Sequence, residues 1–275
     1  MEYITYKIIS VKPTAHYNER AVVSVEFRQF GATLRTILMS FIPGIKFARC
    51  EFKKNNTVFQ NEHLEQRIRC IPVIQSSVQN GEMYYLKVAI PKSADRSLKK
   101  ILSQDIVDSR GRSAPVTKNL PIMEIGTGQE VDVEIFTGSN IAAADGAYQF
   151  AIKPDFSPEK MTVTFETTDA YSAETLLEIA IVEIKKFVGR VADMIKEDKA
   201  RIEYNKKSKR TEMTFDNIPI TITQLIISIG QESEYLTAAW QPHPLVNESK
   251  ILVYDTIDKS KNLILEICSW FFEEQ

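Results

Sequence analysis

The feature that most constrains this chain is a pattern of strand period followed by helix period that occurs twice, its first occurrence split by a long insertion. In the first occurrence Val23, Val25 and Phe27 alternate with polar or small neighbours, and Leu34, Ile37, Leu38 and Phe41 then fall at i, i+3, i+4 and i+7. Pro43 and Gly44 predict the end of that helix, since proline supplies no amide and glycine tolerates the turn. The pattern resumes far along the chain. Met161, Val163 and Phe165 alternate with Thr162, Thr164 and Glu166, and a stripe of Ala173, Leu176, Leu177, Ala180, Ile181, Ile184, Phe187, Val188 and Val191 follows. Ser172 is placed to cap this helix, and Glu174 in its first turn suits the dipole.

In the second occurrence Met213 and Phe215 alternate with Glu212 and Thr214, Pro219 opens a helix striped by Ile222, Leu225, Ile226 and Ile229, and Gly230 is expected to end it. Ile251 and Val253 share one face of a strand, Asp258 is a candidate cap, and Ile264, Ile267, Cys268 and Phe271 make the last stripe. Each amphipathic helix needs a partner for its apolar face. The expected fold is therefore α+β, two sheet-plus-two-helix halves packed by their helices. Leu34, Ile37, Leu38, Phe41, Leu177, Ile181, Ile184, Leu225, Ile226, Ile229, Ile264, Ile267 and Phe271 form the expected shared core.

The expected organisation is a first unit from residues 1–47 and 157–203, an inserted β-rich unit from 48–156, and a second unit from 204–275. Within the insertion Tyr85–Ile90 and Val131–Phe136 read as strands, while Ser109–Pro121 reads as loop. The stretch Lys196–Arg210 carries Lys196, Lys199, Arg201, Lys206, Lys207, Lys209 and Arg210 against Glu197, Asp198 and Glu203, and reads as a helix end running into a hairpin.

Composition excludes several classes. A formal net charge of −2 leaves no broad cationic surface for nucleic acid, so any such contact is local or supplied by a partner. Cys50, Cys70 and Cys268 lie far apart with no C-x-x-C pair, which argues against a disulfide framework and a structural zinc site. A reducing intracellular compartment is the simplest expectation. Glu2 and Lys7 fall inside an alternating segment unlike a signal peptide, and no apolar run reaches the roughly 18 residues of a membrane span.

Four strings then carry a resemblance. Ala32–Gly44, ATLRTILMSFIPG, resembles the first-helix signature of the RNA polymerase alpha family, which includes the archaeal D subunit and the third subunit of eukaryotic polymerases. Asn61–Val73, NEHLEQRIRCIPV, is similar to that family's next motif, and Gly138–Asp155 to its return segment. Ala238–Thr256, AAWQPHPLVNESKILVYDT, resembles the signature of the smaller partner, the archaeal L or eukaryotic eleventh subunit. The resemblance implies an alpha-subunit-like dimerisation fold duplicated in cis, a fusion found in some large DNA viruses. It would then work in the host cytoplasm and be packaged in the virion.

The implied role is assembly without catalysis or cofactor. The first half would hold the second-largest polymerase subunit and the second half help hold the largest, with small subunits docking alongside, DNA engaged only indirectly and no homo-oligomer. Partner-contact candidates are Arg35, Thr36, Glu62, Arg67, Arg69 and His243. The sequence departs from the family where Arg35 is followed by Thr36 instead of a second arginine. It departs again where Pro219–Leu225 replaces a His-Thr-Leu-Gly-Asn run, and it has no four-cysteine set in the insertion.

Each candidate has a plainer reading. Arg35 reads either as an ion-pairing anchor or as a solvated helix residue, and Arg67 and Arg69 either face a partner or are exposed charges. Pro242, His243 and Pro244 read as a rigid corner, because His16 and His63 are distant in sequence. Glu130, Asp132 and Glu134 point one way along a strand and read as a solvated face rather than a metal site. Gly126 and Gly128 lack the helix a phosphate cradle needs. Two rival functions remain: a free-standing nucleic-acid-binding module using residues 196–210, and a hydrolase centred on His63 with Glu62 or Glu65, which lacks a recognisable nucleophile.

Overall fold

The computed structural model describes residues 6–13, 19–42, 44–92, 98–116, 119–139, 152–156, 161–167, 171–232, 235, 237–243 and 246–272. Glu2, His16, Pro43, Pro244 and most of the Gly138–Asp155 string lie outside them.

Alternation and helix period resolve into elements in chain order. The first are β1 (Tyr6–Pro13), β2 (Glu19–Val25) and α1 (Arg28–Ser40). Next come β3 (Ile45–Asn55), α2 (Asn61–Arg69), β4 (Met83–Ala89), β5 (Lys99–Leu102), β6 (Pro121–Ile125) and β7 (Glu130–Ser139). Then follow β8 (Ile152–Phe156), β9 (Met161–Thr167) and the long α3 (Ala173–Lys196). The last are β10 (Arg201–Asn205), β11 (Arg210–Asp216), α4 (Ile220–Glu232), β12 (Thr237–Trp240), β13 (Glu248–Val253) and α5 (Ile257–Ser269). No helix among the described residues is long and apolar enough to cross a membrane.

Two four-stranded antiparallel sheets, ordered β1-β2-β9-β8 and β10-β11-β13-β12, are joined through helices. Helix α1 touches α3 and α4, and α5 touches α3 and α4. The consequence is a single hydrophobic core that draws on both sheets. It runs from Ala21 and Leu34 through Phe165, Leu177 and Ile184 to Phe215, Ile226, Ile264 and Phe271. Of the thirteen residues expected to form the shared core, Phe41 and Ile181 are half-buried against it and the other eleven are buried in it.

A second core is separate. Phe47, Leu64, Ile68, Leu86, Ile101, Val131, Val133 and Ile135 pack between the sheet β3-β7-β4, the hairpin β5-β6 and α2. On its solvent side the acids of β7 are matched by lysines. Lys54 lies 2.6 Å from Glu130, Lys87 2.8 Å from Asp132 and Lys53 3.1 Å from Glu134. Each acid has a cation, so the row is a charge ladder across strands. Among the described residues no cluster of His, Cys, Asp and Glu is arranged to hold a metal.

Helix ends follow local chemistry. Ser172 Oγ accepts from Thr175 N at 3.2 Å and Glu19 Oε2 accepts from Ala173 N at 2.8 Å, so two side chains cap α3. Arg20 Nε donates to Glu166 Oε1 at 2.7 Å and ties β2 to β9 on that same edge. Two expected boundaries move. Helix α4 continues through Gly230 to Glu232, and a Cβ at Gly230 would stand 3.1 Å from Ile267 Cδ1, so this glycine admits α5 instead of stopping α4. The N-cap of α5 is Thr256, with Asp258 in the first turn, where its charge suits the dipole.

Candidate binding cleft at the seam of the two sheets

The geometry of α1 creates the site. Its apolar face, Phe30, Leu34, Ile37 and Leu38, is buried, which leaves Ala32, Arg35, Thr36 and Met39 on the outer side. Helix α4 lies alongside with Pro219 at its start. Between them a cleft of about 540 Å³ opens to solvent. Gln29, Arg35 and Thr36 line one wall and Thr221, Gln224 and Asn247 the other, over Phe41, Met161, Ile218 and Pro219.

Below the cleft the two helices are joined by a buried polar contact. Thr33 Oγ1 donates to Thr221 O at 3.2 Å, and Thr221 Oγ1 donates to Thr33 Oγ1 at 3.1 Å. Both hydroxyls are satisfied by residues of the opposite sheet-and-helix half, which fixes the register of α1 on α4. The rims are also set. Asn217, at φ 58°, and Asn247 hold each other by Asn217 N to Asn247 O at 2.7 Å and Asn247 Nδ2 to Asn217 Oδ1 at 2.9 Å. Gln241, also at the cleft, donates to Val246 O at 3.0 Å.

The chemistry on offer is one guanidinium, several carboxamides and an apolar floor. That set has the donors and acceptors to meet carboxylate and main-chain groups. Arg35 is exposed at the cleft, whereas Thr36 Oγ1 donates to Ala32 O at 3.1 Å, so Thr36 contributes shape.

The other candidates lie elsewhere. Glu62 is exposed in the first turn of α2. Arg67 Nη1 donates to Ile122 O at 2.6 Å and its guanidinium lies 5.4 Å from the Phe59 ring centre, so it staples α2 to β6. Arg69 is about one-fifth exposed and 3.8 Å from Glu65. The His63 and Phe59 rings form a T-shaped pair with centroids 5.9 Å apart. His243 is exposed just beyond β12. Burial pushes the Cys50 and Cys268 thiols up to about 12, which keeps them protonated and unreactive near neutrality.

Sequence reasoning missed Gln29, Gln224, Gln241, Asn247 and the Thr33–Thr221 joint. A threonine beside Leu34 in an apolar stripe was the available signal for the joint. The amides carried none, because their convergence depends on which helix lies beside α1.

Fold and cleft together define an α+β chain in which two sheet-and-helix units share one core, with a solvent-open cleft along their seam. No protein-family model matches the chain. DNA-directed RNA polymerase subunit Rpo3 of Methanocaldococcus jannaschii is similar to it, 23% identical over 158 residues that cover 57% of this chain and 79% of the relative. The match is distant, and it supports a relation to the alpha-like subunits of RNA polymerase.

Proposed function

We propose that this protein is a non-catalytic assembly subunit of a multisubunit DNA-dependent RNA polymerase, a fused alpha-like dimer that gathers the two largest subunits. The observation carrying this reading is the single core shared by α1, α3, α4 and α5, taken with the likeness to an archaeal Rpo3 subunit. Two like halves, 1–47 with 157–203 and 204–275, then correspond to the paired subunits of the alpha family, and 48–156 to the family's inserted domain. Fusion removes most of the association cost, about 4–15 kcal/mol for a bimolecular step, so the platform assembles at low concentration. Its setting is the reducing interior of the cell. A viral source, with packaging in the virion, extends the same reading from the fusion itself.

In this reading Arg35 anchors the second-largest subunit at the seam cleft, while Glu62 and His243, both exposed, and Arg69, about one-fifth exposed, meet the large and small subunits. Arg67, committed to Ile122 O, positions α2 for that contact.

Arg35→Glu tests the assignment. With folding verified, the variant should lose the second-largest subunit in co-purification, a defect of about 2 kcal/mol or more if Arg35 is a hot spot. Unchanged recovery would remove this face from the interface. Cleavage within residues 204–210 should leave both fragments eluting together under native gel filtration. Separate elution would refute the intramolecular dimer.

A further inference from the structure

The basic stretch Lys196–Arg210 divides into two parts of different electrostatic character. Its proximal cations are neutralised within the chain. Lys199 Nζ lies 2.5 Å from Glu197 Oε2, and Arg201 reaches Glu248 at 2.7 Å and Asp216 at 3.1 Å. Lys196 stands in the last turn of α3, where a cation suits the helix dipole. The distal cations are different. Lys206, Lys207 and Lys209 occupy the exposed turn between β10 and β11, Arg210 opens β11, and among the described residues these four make no ion pair.

The turn that carries them is structured. Asn205 Oδ1 accepts from Lys207 N at 3.0 Å and Ser208 N at 3.2 Å, and Lys209 adopts φ 48°. A hollow of about 430 Å³ beside it is lined by Tyr204, Lys206, Lys207 and Arg210, with Glu203 and Glu212 on the strand side. Glu212 is already neutralised by Lys250 at 2.5 Å.

We propose that the β10–β11 hairpin tip is a contact for the phosphate backbone of nucleic acid, made without base specificity. Four adjacent like charges repel one another, and the chain, at a formal net charge of −2 with acids to spare, pairs the neighbouring cations but leaves these. A polyanion relieves that repulsion. Duplex DNA presents one charge per about 1.7 Å of axis, dense enough to engage all four cations within one turn. The residue type also discriminates between partners. Protein–protein interfaces are depleted in lysine and enriched in arginine, whereas lysine's compact, strongly hydrated ammonium serves backbone phosphate as a point charge.

The contact is independent of the assembly role, and the test separates them. Full-length protein is titrated onto a fluorescein-labelled DNA duplex by anisotropy between 50 and 200 mM salt. With about four phosphates neutralised, affinity should fall roughly 10²-fold over that range. A variant carrying Lys206→Gln, Lys207→Gln, Lys209→Gln and Arg210→Gln should bind at least tenfold more weakly at 50 mM salt, with a flattened slope and an unchanged melting temperature. Lys207→Gln alone should lower the slope by about one. A charge-matched variant with Lys53→Gln, Lys87→Gln, Lys100→Gln and Lys186→Gln should bind as wild type, and the tip variant should still co-purify with the large subunits. Absence of binding at 50 mM salt, or equal loss in the charge-matched variant, would overturn the proposal. So would poly-glutamate competing as well as DNA at equal charge, which would assign the tip to an acidic protein segment.

Discussion

The core at the seam and the core between β3, β7 and α2 are held together differently. At the seam, helix stripes from sequence-distant segments meet face to face, and the buried hydroxyls at the α1–α4 contact, Thr33 and Thr221, are paired with each other. The second core is drawn from one continuous stretch, Phe47 to Ile135, closed by strand pairing and staples such as Arg67 to Ile122 O, with its charges left outside in the Lys53, Lys54 and Lys87 ladder. The difference teaches where polar groups matter: inside the seam an unpaired hydroxyl is expensive, while on the ladder water replaces any lost partner.

The sharpest way to break the comparison is to hollow out one core at a time. Both tryptophans, Trp240 and Trp270, belong to the sheet and helices of the seam, so their fluorescence reports on that region. Leu34→Ala should destabilise by about 2–5 kcal/mol, read as an earlier denaturant midpoint in tryptophan emission. Leu86→Ala, equally buried in the second core, should lower far-UV stability by a similar amount with a smaller shift in that emission. Equal shifts in both probes would mean the two cores unfold as one.

Next in size is the polar joint. Thr33→Val alone leaves the Thr221 hydroxyl buried without its acceptor and should cost about 1–3 kcal/mol. Combining it with Thr221→Val should recover much of that loss, a non-additivity measurable by a double-mutant cycle. Ser172→Ala should cost about 0.5–1 kcal/mol, at the lower end of the cap range because Glu19 also caps α3. Lys54→Ala on the ladder should change stability by less than about 1 kcal/mol, and less again at high salt.

The smallest effect is pH-dependent. Backbone N–H donation from Arg112 holds the Asp108 carboxyl below its usual range, assisted by the Arg112 guanidinium. A depressed folded pKa contributes stability that is present above about pH 4, the ordinary carboxylate value, and lost as pH falls through the folded value. Wild type and Asp108→Asn should therefore differ slightly at neutral pH and converge in acid, as followed by thermal melts.

How much of this was legible in the sequence depends on range. The stripe from Leu34 to Ile37 and Leu38 announced its helix and its buried face, and Ser172 announced a cap, because periodicity and capping are settled within a turn or two. Gly230 misled for the opposite reason: a glycine that looks like a local stop serves a close approach by Ile267 from another helix. Arg67 and Arg69 looked alike in the string, yet one is committed to Ile122 O and the other lies beside Glu65. In the basic run, composition could not separate the paired Lys199 and Arg201 from the unpaired turn.

By itself the sequence determined the α+β character, the alternation of strands and helices and which face of each helix must leave water, since hydrophobic burial acts on every residue of a stripe wherever its partner lies. Only the tertiary structure decided that α1 lies against α4. From that pairing follow the Thr33–Thr221 joint and the cleft between Arg35 and Gln224. Apolar attraction is non-directional and accepts many partners, whereas shape, sheet pairing and buried hydrogen bonds select one.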